Sequence, residues 1–282
     1  MTNYKLALIG YPLSHSLSPV LYKAAFKDLG LDGTYEILPT QSEDLVSRIK
    51  YLRTNKYYGF NITIPHKVPT TLFLSKYDEY VNLTGAVNTI KIEDDMSLSG
   101  YNTDVVGFME AIPKDVDLKN RHAAVIGTGG AARAICAGLF KLGITKIDMY
   151  TRNIVDSKET LDTLRKRFPT ITFKAIQTSL MQELSDIDIL VNTTPLGMKN
   201  FDEDTSPVKE ESLETLPNNA IVYDIVYNPL KTALIHKAIK LNKRYITGID
   251  MLIYQAIRAI EIWCDKRPDF NVMKIAALEE FL

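Results

Sequence analysis

The sequence contains few of the residues that characterise disulfide, metal and membrane proteins. Only two of its 282 residues are cysteines, and Cys136 and Cys264 are too far apart in sequence to indicate a disulfide framework or a thiolate zinc site. Its four histidines show no metal-ligand spacing. No apolar run reaches the roughly 18 residues of a membrane span, and the first apolar stretch is shorter than a signal-peptide core. We therefore expect no metal, no membrane and a cytoplasmic location.

The sequence also lacks an excess of charge of either sign. Its 33 basic and 34 acidic residues give a formal net charge of −1, which argues against a dedicated nucleic-acid binder. The hydrophobic and charged fractions, 46% and 24%, are those of an ordinary globular protein and exclude disorder, collagen and coiled coil. A chain of this length corresponds to about two domains, or to one large α/β unit.

The first hundred residues alternate between short apolar runs and helical patterns. Strands are predicted over residues 4–10, 34–38 and 59–64, and helices over 18–29 and 43–52. Ser18 and Pro19 have the residue types of an N-cap and a first helical position, and Gly30 is a helix stop. Such alternation is typical of a largely parallel α/β sheet.

A second alternation begins after a polar stretch at residues 113–120, and we place the domain boundary near residues 103–104. Strands are predicted over residues 122–126, 146–150, 187–192 and 220–225, helices over 131–142, 252–263 and 272–281, and a surface loop over 202–214. The last helices are expected to fold back onto the first domain.

The sequence GTGGAA connects a predicted strand to a predicted helix. Gly127, Gly129 and Ala132 match the G-x-G-x-x-G/A pattern of a dinucleotide-binding turn, where small residues let a pyrophosphate approach the helix N-terminus. A tight turn without a ligand is the alternative. Arg152, at the end of the next strand, suits the 2′-phosphate of NADP. Asp148 would favour NAD, but it lies within the strand.

Polar clusters follow several of the predicted strands. Carboxyl ends of parallel strands meet at one edge of a sheet, where ligands bind. The residues expected to form a small polar pocket there are Ser16, Ser18, Thr63, Lys67, Asn88 and Asp104. Each also has a simpler explanation, because serine and asparagine build helix caps and turns and lysine is usually solvated.

These motifs together resemble the shikimate dehydrogenase family along nearly the whole chain. The matching segments are GYPLSHSLSP (10–19), NITIPHK (61–67), GAVNT (85–89), GYNTD (100–104), GTGGAARA (127–134), NTTPLGM (192–198), YDIVYNP (223–229) and MLIYQA (251–256). The resemblance implies two α/β domains with the active site in the cleft between them. An N-terminal substrate domain with a mostly parallel sheet would comprise residues 1–104 and 239–282, and a Rossmann-type NADP-binding domain residues 105–238.

The same resemblance implies NADP-dependent reduction of 3-dehydroshikimate to shikimate, a step towards chorismate and the aromatic amino acids. Lys67 and Asp104 would be the catalytic pair, with their separate proton-transfer roles left open. The implied substrate-binding residues are Ser16, Ser18, Thr63, Lys67, Asn88, Asp104, Tyr227 and Gln255. The implied NADP-binding residues are Gly127, Gly129, Gly130, Ala131, Thr151, Arg152, Asn153, Gly248 and Met251. A small-molecule substrate and a monomer or homodimer are expected.

The sequence departs from the family pattern in places. The family often has His-Asn where this chain has Tyr22-Lys23, and Asn-Arg-Thr where this chain has Thr151-Arg152-Asn153. A quinate or dual quinate/shikimate dehydrogenase that uses NAD or NADP is an alternative, because one hydroxyl is worth only a few kcal/mol of discrimination. A non-catalytic NADP-binding sensor is a more remote alternative. An enzyme acting on a folate-type substrate would need a larger apolar pocket.

Overall fold

The computed structural model describes residues 3–13 and 16–282, and the chain divides into two compact units. The first unit contains Met1–Gly107 and Ile253–Leu282, and the second contains Phe108–Leu252. No helix in the described ranges is long and apolar enough to cross a membrane.

The first unit contains a mixed sheet in the strand order β2-β1-β3-β5-β6-β4. Its strands are β1 (Asn3–Gly10), β2 (Asp32–Pro39), β3 (Gly59–Ile62), β4 (Lys76–Tyr77), β5 (Thr89–Ile92) and β6 (Leu98–Tyr101). β1 pairs in parallel with β2 and β3, and β4 pairs in parallel with β6. β5 is antiparallel to both of its neighbours. The three strands predicted in this region, β1, β2 and β3, are therefore confirmed as parallel neighbours, and the antiparallel β5 makes the whole sheet mixed.

Helices cover the first sheet and close its apolar core. They are α1 (Ser18–Leu29), α2 (Leu45–Thr54), α3 (Glu79–Thr84), α4 (Thr103–Glu110), α9 (Gly248–Cys264) and α10 (Phe270–Glu279). Trp263 is fully buried, and its indole N–H donates to the Ile90 carbonyl at 2.8 Å. This bond ties α9 to β5, so the end of the chain does fold back onto the first unit.

The predicted N-cap of α1 was wrong. Leu17 occupies the N-cap position without a side-chain hydrogen bond, and Ser18 is already the first helical residue. The predicted stop is confirmed, because Gly30 has a left-handed backbone with φ of 61° and its N–H bonds to carbonyls of the last turn.

The second unit contains an all-parallel sheet in the order β12-β11-β10-β7-β8-β9. Its strands are β7 (His122–Ile126), β8 (Lys146–Thr151), β9 (Thr172–Gln177), β10 (Ile189–Asn192), β11 (Ile221–Asp224) and β12 (Arg244–Ile246). The strand order reverses between β7 and β10. In doubly wound sheets this switch point opens the crevice that holds the ligand.

The helices of the second unit are α5 (Gly130–Lys141), α6 (Ile154–Arg167), α7 (Glu210–Glu214) and α8 (Ala233–Lys240). The loop predicted over 202–214 is therefore wrong at its end, where Ser212 and Leu213 are buried in a short helix. The many acidic residues of this segment favoured the prediction of a surface loop, although Leu213 is buried.

The limits of the two units differ from the predicted domain limits. The predicted domains change at 104/105 and 238/239, whereas the compact units change at 107/108 and 252/253. The second difference arises because β12 pairs with β11 and so keeps residues 244–246 in the second sheet. Both changes between units fall inside helices, α4 and α9.

Candidate active site

A lysine and an aspartate form a close ion pair in the first unit. Lys67 lies in the loop that follows β3, and Asp104 lies in the first turn of α4 after β6. The Lys67 Nζ is 2.6 Å from Asp104 Oδ2, and the two side chains are 28% and 17% exposed. The positive end of α4 favours the Asp104 carboxylate. The pair is thus held together and still accessible to a ligand.

Asn88 fixes the orientation of this aspartate. Its Nδ2 donates to Asp104 Oδ1 at 2.8 Å and to Thr103 Oγ1 at 3.0 Å, while its Oδ1 accepts from the Thr103 N–H at 2.8 Å. The Thr103 hydroxyl also lies 3.4 Å from Gln255 Oε1. The structure therefore brings the predicted residues Lys67, Asp104, Asn88 and Gln255 into one hydrogen-bonded group.

Thr63 lies four residues before Lys67 in the same loop. Its backbone N–H donates to the Ile9 carbonyl at 3.0 Å, and the His66 N–H donates back to the Thr63 carbonyl at 2.9 Å. The Lys67 carbonyl accepts from the Val87 N–H at 2.8 Å. These bonds anchor the loop to β1 and to the segment that carries Asn88.

Two tyrosines and an asparagine beneath this group were missed by the sequence analysis. Tyr22 and Tyr35 stack with ring centroids 4.1 Å apart, and both phenols donate to Asn61 Oδ1 at 2.8 Å. The Asn61 Nδ2 then donates to the Asn88 carbonyl and to Thr89 Oγ1, at 3.2 and 2.9 Å. Asn61 belongs to the motif NITIPHK, but no sequence signal pairs it with residues 26 and 39 positions away.

The two predicted serines lie at the start of α1. The Ser18 backbone N–H donates to Ser16 Oγ at 3.2 Å, and the Ser18 side chain opposes the effect of burial on the pKa of Tyr35. Burial raises the pKa of Tyr35, which remains a neutral donor to Asn61. Ser14 and His15 of the same motif lie outside the described residues.

The glycine turn lies at the carboxyl end of β7 in the second unit. Gly127 has a left-handed φ of 103°, and a Cβ there would lie 2.7 Å from Thr193 Oγ1. Gly129 and Gly130 face open space, and no side chain caps α5. Within the described residues the N-cap Gly129 makes no side-chain hydrogen bond to the start of α5, which suits an end where a pyrophosphate could bind. Ala131 lies in the same first turn.

The predicted adenosine-side residues end β8 and begin α6. Thr151 is buried, and its hydroxyl donates to the Asn153 carbonyl at 3.1 Å. Asn153 caps α6 by accepting from the Val155 N–H at 3.0 Å. Arg152 is exposed. An exposed guanidinium beside a helix N-terminus fits a phosphate.

A buried aspartate at the end of β11 was also missed by the sequence analysis. Asp224 is fully buried and accepts from Asn192 Nδ2, the Thr232 hydroxyl and the Val226 N–H, at 2.9, 2.6 and 3.1 Å. Burial raises its pKa to about 6, and these hydrogen bonds oppose the rise. Asp224 therefore ties together the end of β10, the turn after β11 and the N-cap of α8.

Tyr227, Gly248 and Met251 lie in the second unit. Tyr227 is in the turn after β11, and partial burial raises its pKa. Gly248 begins α9 against that turn, where a Cβ would lie 2.3 Å from the Ile225 carbonyl oxygen, and Met251 follows in the first turn of α9. Only glycine fits at position 248, so this contact depends on the residue type.

The parallel sheet and the glycine turn give the second unit the doubly wound fold of the Rossmann class. Residues 8–90 match the family model for the shikimate dehydrogenase substrate binding domain, and residues 248–278 match the shikimate 5′-dehydrogenase C-terminal domain. The chain is 38% identical to the shikimate dehydrogenase (NADP(+)) of Nitrosopumilus maritimus over 98% of each chain. This protein belongs to the shikimate dehydrogenase family.

Solved structures agree with this assignment over almost the full chain. A shikimate dehydrogenase in complex with NADP+ has a TM-score of 0.90 at 34% identity, covering 99% of this chain and 96% of the other. The shikimate 5-dehydrogenase of Thermus thermophilus, in complex with NADP(H) and shikimate, has a TM-score of 0.84 at 31% identity, covering 98% and 99%. The two-domain α/β fold predicted from the sequence is confirmed.

Proposed function

We propose that this protein is an NADP-dependent dehydrogenase that interconverts 3-dehydroshikimate and shikimate. The observation that carries the proposal is the Lys67–Asp104 pair, held at 2.6 Å and oriented by Asn88. Relatives with this name match almost the whole chain at 34–38% identity, which supports the same activity here. The second unit fits the cofactor through its open glycine turn and exposed Arg152.

Lys67 and Asp104 are proposed to handle the proton that accompanies hydride transfer. When bound, NADP accepts or supplies the hydride, while a protein group must take or give the proton on the substrate oxygen. The Lys67 ammonium has three N–H bonds, of which one is directed at Asp104. The other two would be directed at a substrate oxygen, so Lys67 is the group that we propose exchanges the proton.

The remaining polar residues are proposed to orient the substrate. Thr63, Asn88 and Gln255 would bind its hydroxyls, and Ser16, Ser18 and Tyr227 its carboxylate. In the second unit, Gly127, Gly129, Gly130 and Ala131 would surround the pyrophosphate and Arg152 would contact the 2′-phosphate. Thr151 and Asn153 would shape that side of the NADP site, and Gly248 and Met251 would lie near the nicotinamide. The first unit would be the substrate domain and the second the NADP domain.

Reduction of NADP+ in the presence of shikimate, followed by absorbance, tests the activity. We expect turnover with shikimate and NADP+ to exceed that with quinate. Lys67→Met should lower turnover by roughly 10²–10⁴-fold, the usual effect of losing a positioned acid–base group. Lys76→Met, at an exposed lysine of the same sheet, is the matched control and should leave turnover unchanged. Full activity in Lys67→Met would refute the proposed role of the lysine.

Absence of turnover with either acid and either cofactor would instead favour the non-catalytic sensor. A cytoplasmic location is proposed with two buried, free cysteines as its support. The oligomeric state, monomer or homodimer, stays a prediction that sedimentation velocity tests.

A further inference from the structure

The proposed 2′-phosphate site contains a negative charge as well as a positive one. Arg152 is exposed. Asp156 lies four residues later, in the first turn of α6, and is also exposed. A phosphate bound by Arg152 would therefore meet a nearby carboxylate.

The position of that carboxylate is set by Asn153. The Asn153 Oδ1 accepts from the Val155 N–H at 3.0 Å, and its Nδ2 donates to Asp156 Oδ2 at 2.8 Å. The side-chain amide is therefore engaged as a helix cap on one side and with Asp156 on the other. This hydrogen bond holds the Asp156 carboxylate against the side chain of Asn153, the residue that follows Arg152.

We propose that Asp156 is a specificity-determining residue that weakens the preference of this protein for NADP over NAD. The proposal rests on the proposed function, because it assumes that Arg152 contacts the 2′-phosphate. A 2′-phosphate is repelled by a neighbouring carboxylate, whereas the 2′-hydroxyl of NAD is uncharged and can donate a hydrogen bond to it. Asp156 therefore weakens the binding that Arg152 gives to NADP, and it does not weaken the binding of NAD.

A purely structural role predicts something different. An acidic residue in the first turn stabilises a helix through its dipole, and its loss would lower stability without separating the two cofactors. Asp156→Asn distinguishes the two roles, because the amide oxygen still accepts from Asn153 while the charge is removed. Asp162→Asn is the matched control, since it removes the same charge from a half-exposed aspartate farther along α6 that pairs with Arg165.

The test is the affinity of the purified protein for adenosine 2′,5′-bisphosphate and for 5′-AMP, measured by calorimetry at low and high salt. Asp156→Asn should bind the bisphosphate about three- to tenfold more tightly at low salt, and salt should shrink the gain, as expected for a partly screened like-charge pair. Binding of 5′-AMP should be unchanged, and Asp162→Asn should resemble the wild type. The kcat/KM ratio of NADP+ to NAD+ should rise in parallel in Asp156→Asn.

Equal affinities of wild type and Asp156→Asn for the bisphosphate would overturn the inference, as would an equal gain in Asp162→Asn. These binding measurements need no turnover. A protein inactive on shikimate that still shows the bisphosphate effect would therefore refute the proposed reaction and leave the role of Asp156 intact.

Discussion

Replacing Asp224 by asparagine should change how stability depends on pH. Asp224 is fully buried, its hydrogen bonds come from neutral donors, and its pKa is raised from the ordinary 3.8 to about 6. Between these two values the folded protein binds the proton more tightly than the unfolded chain. Stability from this group is therefore greatest below pH 4 and is lost as the pH rises towards 6.

The size of the effect follows from the difference between the two pKa values. A shift from 3.8 to about 6, at 1.36 kcal/mol per pKa unit, corresponds to about 3 kcal/mol in total, of which about 2.4 kcal/mol is lost between pH 4 and pH 7. Asp224→Asn does not titrate, so this loss should be missing from the variant. The variant should also be less stable at pH 4, because its Nδ2 replaces an oxygen that accepts from Asn192 or Thr232.

Urea unfolding followed by circular dichroism at pH 4, 5, 6 and 7 measures this difference. The wild-type free energy of unfolding minus that of Asp224→Asn should fall by about 2.4 kcal/mol over the series. Glu203→Gln, which removes an exposed carboxylate from the same unit, should give a constant difference from the wild type. Parallel curves for wild type and Asp224→Asn would refute the reasoning that burial holds the proton on Asp224.

Three further predictions concern other residues. Gly59→Ala would place a Cβ 2.2 Å from Trp263 Nε1 and should destabilise the first unit by about 1–3 kcal/mol, measured by the fluorescence of this single tryptophan; unchanged unfolding would contradict it. His122 lies 3.1 Å from Asp186 and 3.4 Å from Asp148, and mainly Asp148 raises its pKa above 6.5. The stability lost in His122→Gln should therefore be largest below pH 6.5 and disappear as the pH rises through the raised pKa, as urea unfolding would show. Arg152→Ala should weaken NADPH binding by about 1.5–3 kcal/mol, and an unchanged dissociation constant would exclude it as the phosphate ligand.

Those parts of the fold whose cause is local could be predicted from sequence. The glycine turn and α5 follow from residues 127–142, where small residues and helix formers determine the structure within a few positions. β1 and β3 are short segments rich in apolar residues and followed by glycine or proline. The start of α1 was misassigned by one residue, because a Ser-Pro pair occurs both at an N-cap and at the first helical positions.

The features that the sequence did not predict depend on contacts between distant residues. β4 is two residues long and exposed, so it has no apolar pattern to detect. β12 has one buried residue in three, and only its pairing with β11 places it in the second sheet. Asp224 is the last residue of an apolar strand, and its burial becomes visible only when Asn192 lies directly beside it in the sheet.

The orientation of the proposed catalytic pair depends in part on two tyrosines, Tyr22 and Tyr35, that lie outside the motifs of the family. Because Tyr22 and Tyr35 both donate to Asn61 Oδ1, the amide of Asn61 must direct its Nδ2 to the Asn88 carbonyl. That bond fixes the backbone from which the Asn88 side chain reaches Asp104 Oδ1.

The two oxygens of Asp104 therefore have different partners. Asn88 occupies Oδ1, and Oδ2 is left for Lys67. The lysine meets a carboxylate that cannot rotate without breaking the Asn88 bond, so its remaining N–H groups have a defined direction. The chemistry proposed for Lys67 thus depends on the phenols of Tyr22 and Tyr35, which need not contact a ligand. By donating to Asn61 Oδ1 they fix the orientation of the Asn61 amide, and through it the position of Asn88.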